Sequence, residues 1–333
     1  MDIKKFYNKY KEANIQDVIK FMFQREFGCA HAVSNYDNAL NYLLSETKSI
    51  INDGYLYVTL EDLGNETVRI HLNNDGDYKV KSGTIAKLFY LSSNVEKGDQ
   101  DKFIDDLKSL EIDIDSKNFV DEYIAGEVKA LHHSDQYKNA YLPSYRVVEK
   151  SYANFIEVFS KIDSLPDEAV VTVEGNSGSG KSTLSKILNE IYGCDVIKMD
   201  DFFLQTHQRT DDRLSEVGGN IDYERFNEEV VSKIQTTFNY QKYNCMITEL
   251  TEFKEITSKL KVVEGVYSNH PKFNKYYDLS IFLNIEREMQ YKRILKRSGE
   301  FMFKRFKDEW IPKEDSYFEK FNISNNCDII IKV

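Results

Sequence analysis

The chain has 333 residues, of which 41% are hydrophobic, and a formal net charge of −11. This length exceeds one ordinary core and predicts two domains, while only 4 prolines argue against long disordered linkers. The acidic balance disfavours a surface for a nucleic-acid backbone, because such surfaces concentrate Lys and Arg. The 4 cysteines form no CxxC pair, so the sequence indicates neither a zinc knuckle nor a disulfide framework.

Residues 1–6 lack the apolar core of a signal peptide, and no run in the chain approaches 18 apolar positions. We therefore expect a cytoplasmic protein with neither a membrane nor a nucleic acid among its partners. Assembly into a homo-oligomer stays open at this stage.

The first half, residues 1–150, is predicted to be a mainly helical α+β domain. Apolar positions at helical spacing in residues 15–47 predict paired helices, and β-rich segments predict a strand pair at 55–60 and 67–72. Further helices are predicted at 85–90, 103–110 and 119–131. Residues 147–163 are predicted as a helix leading into the second domain, which comprises residues 151–333.

Histidines and tyrosines cluster in this first half. His31, His132 and His133 show no HxxxH or HExxH spacing, so a structural role is favoured over metal binding. Three tyrosines are spaced four residues apart, Tyr137, Tyr141 and Tyr145, which predicts that they share one helical face. A packed interface is favoured over a binding site for this face. Whether this half senses a metabolite, holds a second active site or mediates assembly stays open.

The second half opens with a phosphate-binding pattern. The apolar run 169–173 predicts a buried strand, and soon after it come Gly175, Asn176, Ser177, Gly178, Ser179, Gly180, Lys181, Ser182 and Thr183. This matches G-x-x-x-x-G-K-[S/T], in which small residues let backbone N–H groups curl around a polyphosphate at a helix N-terminus. Lys181 is expected to reach the outer phosphates, and the Ser182 hydroxyl to ligate Mg²⁺. ATP and Mg²⁺ are therefore the expected cofactors.

Alternating strands and helices after residue 169 predict a parallel sheet flanked by helices, the P-loop NTPase fold of the α/β class. The candidate strands are 170–173, 196–199, 260–263, 279–283 and 328–331. Ligands of such sheets gather at the carboxyl ends of the strands. Asp200 and Asp201 follow the second strand and Glu264 follows the third, which suits a Mg²⁺ ion and a base for an acceptor hydroxyl.

On these motifs, residues 169–333 resemble the uridine kinase branch of P-loop small-molecule kinases. The resemblance implies that Asp200, in the segment 200–203, is the catalytic base and lies near the metal, with Asp201 in second place at the substrate. It also implies that Glu264 coordinates the metal and that Asp222, in the segment 220–222, binds a cis-diol of the acceptor.

A basic helix after the fourth strand resembles the lid of that family. Arg293 and Arg297 are four residues apart, share a helix face and are expected to neutralise charge on the transferring phosphate. A solvated basic face is the competing interpretation. The chain departs from the family at 238–245, which has tyrosines but no histidine to read a base. It also has a longer loop after Phe203, and in this loop Arg209 is a candidate for shaping the acceptor pocket together with Phe203.

These features favour a phosphotransferase that uses ATP and Mg²⁺ to phosphorylate a hydroxyl of a small molecule, foremost a nucleoside or riboside. A non-nucleoside alcohol, such as a vitamin or a sugar phosphate, is an alternative acceptor. A protein that binds ATP as a sensor without phosphotransfer is the alternative from another class. The acidic balance disfavours a polynucleotide kinase.

Overall fold

The computed structural model describes residues 3–333, and the chain divides into two compact units between Asp163 and Ser164. The first unit has a four-stranded antiparallel sheet in the order β3-β1-β2-β4. Its elements are α1 (Ile3–Lys9), α2 (Ile15–Phe27), α3 (Tyr36–Glu46), β1 (Tyr55–Gly64), β2 (Thr67–Asn73), β3 (Tyr78–Lys81), α4 (Ser82–Ser93), α5 (Gln100–Lys108), α6 (Ile114–Ala125), α7 (Asp135–Tyr141), β4 (Tyr145–Glu149), α8 (Lys150–Ala153) and α9 (Ile156–Asp163).

The predicted hairpin and helices of the first half are confirmed, although α6 ends at Ala125. The prediction of one helix over 147–163 is wrong. Val147 and Val148 belong to β4, which pairs with β2, because β-branched residues suit a pleated strand with neighbours on both faces. The carboxylate of Asp163, at the end of α9, accepts hydrogen bonds from the Lys81 N–H (2.7 Å) and the Thr84 hydroxyl (2.9 Å). The first unit therefore continues past residue 150 to Asp163.

His133 and Tyr137 lie in the core of the first unit, with their rings stacked at a centroid distance of 4.0 Å. Tyr137 and Tyr141 belong to α7 and both pack on Tyr10. Tyr145 instead lies in β4, so the prediction of one helical face is wrong for this residue. In the described part of the chain, no group of three or more His, Cys, Asp or Glu side chains stands in position to hold a metal ion.

The second unit is built on a five-stranded parallel sheet in the order β11-β10-β5-β9-β6, with a separate two-stranded hairpin of β7 and β8. Its elements are β5 (Val170–Gly175), α10 (Lys181–Tyr192), β6 (Asp195–Lys198), α11 (Asp211–Ser215), α12 (Tyr223–Glu229), β7 (Phe238–Asn244), β8 (Glu249–Ile256), β9 (Lys261–Glu264), β10 (Leu279–Asn284), α13 (Arg287–Arg305), α14 (Ile311–Lys320) and β11 (Ile329–Lys332).

The central strand β5 is buried on both faces, as a parallel sheet between helix layers requires. All five predicted strands are confirmed, with small shifts at their ends. Because β5 leads through the glycine-rich loop into α10, the sheet has the predicted P-loop NTPase fold. The hairpin of β7 and β8 was not predicted, since its mainly polar residues carry little strand signal before they pair with each other.

Helix α13 is interrupted at Gly299, where φ is 73° and ψ is 171°. A π-helical turn, Phe306–Trp310, joins α13 to α14. Within residues 3–333, no helix is both long enough and apolar enough to cross a membrane.

Candidate phosphate-binding site

The predicted phosphate loop forms one continuous turn between β5 and α10. Gly175, Gly178 and Gly180 have φ values of 138°, 78° and 102°, which L side chains rarely adopt. A Cβ on Gly175 would lie 2.3 Å from the carbonyl oxygen of Leu283 in the neighbouring strand β10. Glycine is therefore needed both for the curl of the loop and for its close approach to the sheet.

Lys181 begins α10 and its side chain turns back into the loop. Its Nζ donates to the carbonyl oxygens of Gly175 (2.7 Å) and Asn176 (3.1 Å). The first N–H groups of α10, at Lys181, Ser182 and Thr183, have no acceptor within the helix. The loop thus combines one ammonium group with helix N–H donors, the combination that binds a polyphosphate.

Ser182 and Glu264 face each other across the sheet edge. The Ser182 hydroxyl donates to a carboxylate oxygen of Glu264 at 3.1 Å, and Glu264 ends β9, beside the central strand. Glu264 is buried. Burial raises the pKa of its carboxyl, Lys181 partly opposes that rise, and the charge of Asp200 adds to it.

Asp200 lies in the 3₁₀ turn Met199–Phe202 that follows β6. Asp200 is exposed to solvent, yet desolvation by the surrounding protein raises the pKa of its carboxyl. Lys181 lowers that pKa, Asp201 raises it, and Arg297 lowers it more weakly. Asp200, Glu264 and Lys181 therefore act on one another electrostatically at the carboxyl end of the sheet.

These groups fit a nucleotide with Mg²⁺. Ser182, Asp200 and Glu264 supply the oxygen donors that Mg²⁺ prefers. The buried hydroxyl of Ser179, within the loop, has no hydrogen-bond partner in residues 3–333 and is a donor available to a bound anion. When bound, Mg²⁺ would neutralise part of the phosphate charge at this edge.

The acceptor-side carboxylates have protein partners. Asp201 accepts a hydrogen bond from the Tyr240 hydroxyl at 2.8 Å. Asp222 is 2% exposed, and its two oxygens accept from the Arg225 N–H (3.0 Å) and from Gln208 Nε2 (2.8 Å). Asp222 is thus the N-cap of α12 in this structure, and its role toward a diol stays a prediction.

Arg209 ties the long loop after β6 to the hairpin. Its side chain donates to the carbonyl of Leu204 and to the Tyr243 hydroxyl, both at 3.0 Å. Phe203 is half-buried and packs on the core of the second unit. Cys245, near the hairpin turn, is exposed, yet partial desolvation raises the pKa of its thiol and the charge of Asp200 adds to that rise.

Both predicted lid arginines face the site. Arg293 Nη1 donates to the carbonyl of Gly178 at 3.4 Å, and Arg297 acts on the pKa of Asp200. Both side chains are exposed. The helix face that carries them therefore lies toward the phosphate loop and Asp200.

Sequence reasoning missed four residues that support the loop from behind. Glu174 directly follows the apolar run of β5. A charged residue in a buried strand is rare, so this position could have been recognised from the sequence. Nothing in the local sequence marks the other three, since their neighbours in space are distant in the chain: Gln290, Glu314 and Tyr317.

No protein-family model matches the chain, and no curated protein matches it. Among solved structures, it is similar to a possible uridine kinase from Bacillus stearothermophilus, with 16% identity, a TM-score of 0.42, and coverage of 54% of this chain and 98% of that chain. It is also similar to a candidate fructose transport system kinase from a Silicibacter species (19% identity, TM-score 0.41, 50% and 91% covered). A shikimate kinase from Acinetobacter baumannii matches with 13% identity and a TM-score of 0.27 (50% and 83% covered). The order of the parallel strands and the loop between β5 and α10 define the P-loop NTPase fold of the second unit.

Proposed function

We propose that the second unit is a phosphotransferase that uses ATP and Mg²⁺ to phosphorylate a hydroxyl of a small molecule. The observation that carries the proposal is the convergence of Lys181, the Ser182–Glu264 pair and Asp200 at the carboxyl end of one parallel sheet. A site that only bound phosphate would need the loop, but it would not need a carboxylate such as Asp200 for an acceptor proton.

Each group has a part in the transfer. Lys181 and the loop N–H groups would hold the phosphates, and Ser182 and Glu264 would hold Mg²⁺, which would neutralise phosphate charge when bound. The acceptor oxygen forms a bond to the γ-phosphorus, the bond from that phosphorus to the bridging oxygen of ADP breaks, and Asp200 takes the hydroxyl proton. A raised pKa brings Asp200 closer to the operating pH and so makes it a stronger base. Arg293 and Arg297 neutralise charge on the transferred group.

The acceptor we propose is a nucleoside or riboside. The sequence resemblance supports this class. A vitamin or a sugar phosphate is the alternative acceptor, since residues 238–245 of the hairpin contain no histidine to read a base. An ATP-dependent sensor is the alternative function, and Asp200 counts against it.

The proposal is tested by incubating the protein with Mg·ATP and a panel of ribosides and small alcohols. Lys181→Ala and Asp200→Asn should each lower the rate of phosphoester formation by at least about a hundredfold, because transfer depends on charge neutralisation and on the base. Mass spectrometry of the product and coupled detection of ADP supply the measurement.

Lys186→Ala is the matched control, since Lys186 is an exposed lysine on the same helix that pairs with Glu190. It should retain the wild-type rate. If both test variants form product as fast as the wild type, the assignment fails. ATP binding by the wild type without any phosphoester product would favour the sensor.

A further inference from the structure

We propose that Glu314, on the C-terminal helix α14, is a positioning residue that holds the phosphate loop in its nucleotide-binding shape through Ser177. The inference rests on nucleotide binding by the second unit, as proposed above. It concerns a residue that lies outside the loop motif and 137 positions away from Ser177 along the chain.

All the polar groups of Ser177 are bound by side chains from two helices. Glu314 Oε2 accepts from the Ser177 N–H at 3.0 Å, and Glu314 Oε1 accepts a short hydrogen bond from the Ser177 hydroxyl. From α13, Gln290 Nε2 donates to the Ser177 carbonyl at 2.9 Å. Gln290 is itself buried, and its amide oxygen accepts from Arg287. Ser177 is therefore held from both sides.

The carboxylate of Glu314 is buried and, among the residues that the structure describes, has no cationic partner. Glu314 is 5% exposed, and within residues 3–333 no Lys or Arg lies at ion-pair distance from it. Buried carboxylates are kept when they accept hydrogen bonds, and the donors here belong to Ser177. Burial raises the pKa of the Glu314 carboxyl, and the largest opposing influence is the charge of Lys181 in the same loop. Glu314 is thus directed at the loop rather than at solvent.

The same helix contacts the chain on the other side of the loop entrance. Tyr317 lies three residues after Glu314, fully buried, and its hydroxyl donates to Glu174 at 3.2 Å. Glu174 also accepts from the Gly175 N–H at 3.1 Å. One face of α14 therefore fixes both Glu174 and Ser177, the residues that flank Gly175 and Asn176.

This arrangement predicts how the loop binds a nucleotide. Because Ser177 uses its N–H on Glu314, the N–H groups left for phosphate are those further along the loop and at the start of α10. Fixing the loop before the ligand arrives removes an ordering cost from binding. Loss of Glu314 should therefore weaken nucleotide binding more than it slows the transfer step.

The experiment measures the dissociation constant of Mg·ADP by calorimetry on the full chain, so that it does not depend on the acceptor. Glu314→Ala removes both hydrogen bonds and should weaken binding about tenfold, as expected for charge-assisted hydrogen bonds. Glu314→Gln keeps an oxygen for the Ser177 N–H and an amide that can donate to its hydroxyl, and it should bind within about threefold of the wild type. Glu319→Ala, at an exposed position of the same helix, is the control and should bind as the wild type does.

A tenfold loss for Glu314→Ala with rescue by Glu314→Gln supports the proposal, as does a KM for ATP that rises while kcat stays within about threefold. An unchanged dissociation constant in folded Glu314→Ala, or a Glu314→Gln variant as weak as Glu314→Ala, overturns it. Should Glu314→Ala fail to fold, Ser177→Ala tests the same contact, with a twofold to threefold loss expected and no loss contradicting the proposal. A wild type that binds Mg·ADP but transfers no phosphate would refute the proposed function and leave this comparison intact.

Discussion

At the scale of single residues, the ammonium group of Lys181 acts on several carboxyls of the site. Lys181 lowers the pKa of Glu174, Asp200, Glu264 and Glu314, while desolvation raises the pKa of all four. A polyphosphate adds further negative charge to this set. The proposed Mg²⁺ would therefore offset this negative charge as well as bind the oxygen ligands of the site.

Glu174 gives a pH-dependent prediction. It is fully buried, and desolvation raises its pKa to about 7, with Lys181 as the largest opposing influence. The folded protein therefore holds this proton more tightly than the unfolded chain, whose Glu pKa is near 4.3. The contribution of Glu174 to stability is present below the unfolded pKa and is lost as the pH rises through about 7.

The expected size of that loss is on the order of 2–3 kcal/mol between pH 5 and 8. Urea unfolding across this range measures it as the difference in pH slope between the wild type and Glu174→Gln. The variant should lack the part of the fall that Glu174 contributes, because an amide does not titrate, while the other carboxyls with raised pKa values contribute equally in both proteins. If the unfolding free energies of the two proteins change equally with pH, the raised pKa of Glu174 is contradicted.

The residues of the loop were predictable, because the motif encodes its own local geometry through glycines at positive φ. Asp200 and Glu264 were predictable because the ends of parallel strands share one edge. The partners of Asp222 were not, since Gln208 reaches it only through the folding of the long loop. Glu314 was not predictable either, because its contact with Ser177 joins distant parts of the chain.

At the scale of elements, α13 and α14 both contact the phosphate loop. Gln290 and Ile294 of α13 contact the loop, and a Cβ on Gly178 would lie 3.1 Å from Ile294. The break at Gly299 separates this packed part from the exposed part that follows it. The first half of the predicted lid helix thus packs against the phosphate loop.

Gly299→Ala tests the break. The position has open space around it, so Ala would cost only through its backbone conformation, which is nearly reserved for glycine, and the unfolding free energy should fall by about 1–3 kcal/mol. Chemical denaturation measures this. Gly126→Ala, at a negative φ of −89°, is the control and should cost less. Equal stability of Gly299→Ala and the wild type would indicate that the helix runs straight through this position.

At the scale of the whole molecule, each unit has its own sheet and its own apolar core. A buried apolar cluster of the second unit has members from Val170 to Ile323, and one of the first unit has members from Phe6 to Tyr137. Neither sheet takes a strand from the other unit. This organisation is that of domains able to fold separately.

We therefore expect residues 164–333 to fold when produced alone and to bind Mg·ADP with a dissociation constant within about threefold of that of the full chain. Circular dichroism during urea unfolding and calorimetry supply the measurements. Residues 151–333, which begin at the boundary expected from the sequence, provide a comparison and should behave alike. An unfolded product, or one that has lost nucleotide binding, would show that the first unit is needed for the site.

The sequence alone determined the parallel sheet, the phosphate loop and the acids at its strand ends, because strand periodicity and the loop motif are local and the edge follows from parallel topology. The tertiary structure decided the limit of the first unit at Asp163, the capping role of Asp222 and the seating of the loop by Glu314. These depend on pairs of residues far apart in the chain, whose contacts exist only after packing has set the distances between elements. A short sequence motif does not predict such distances.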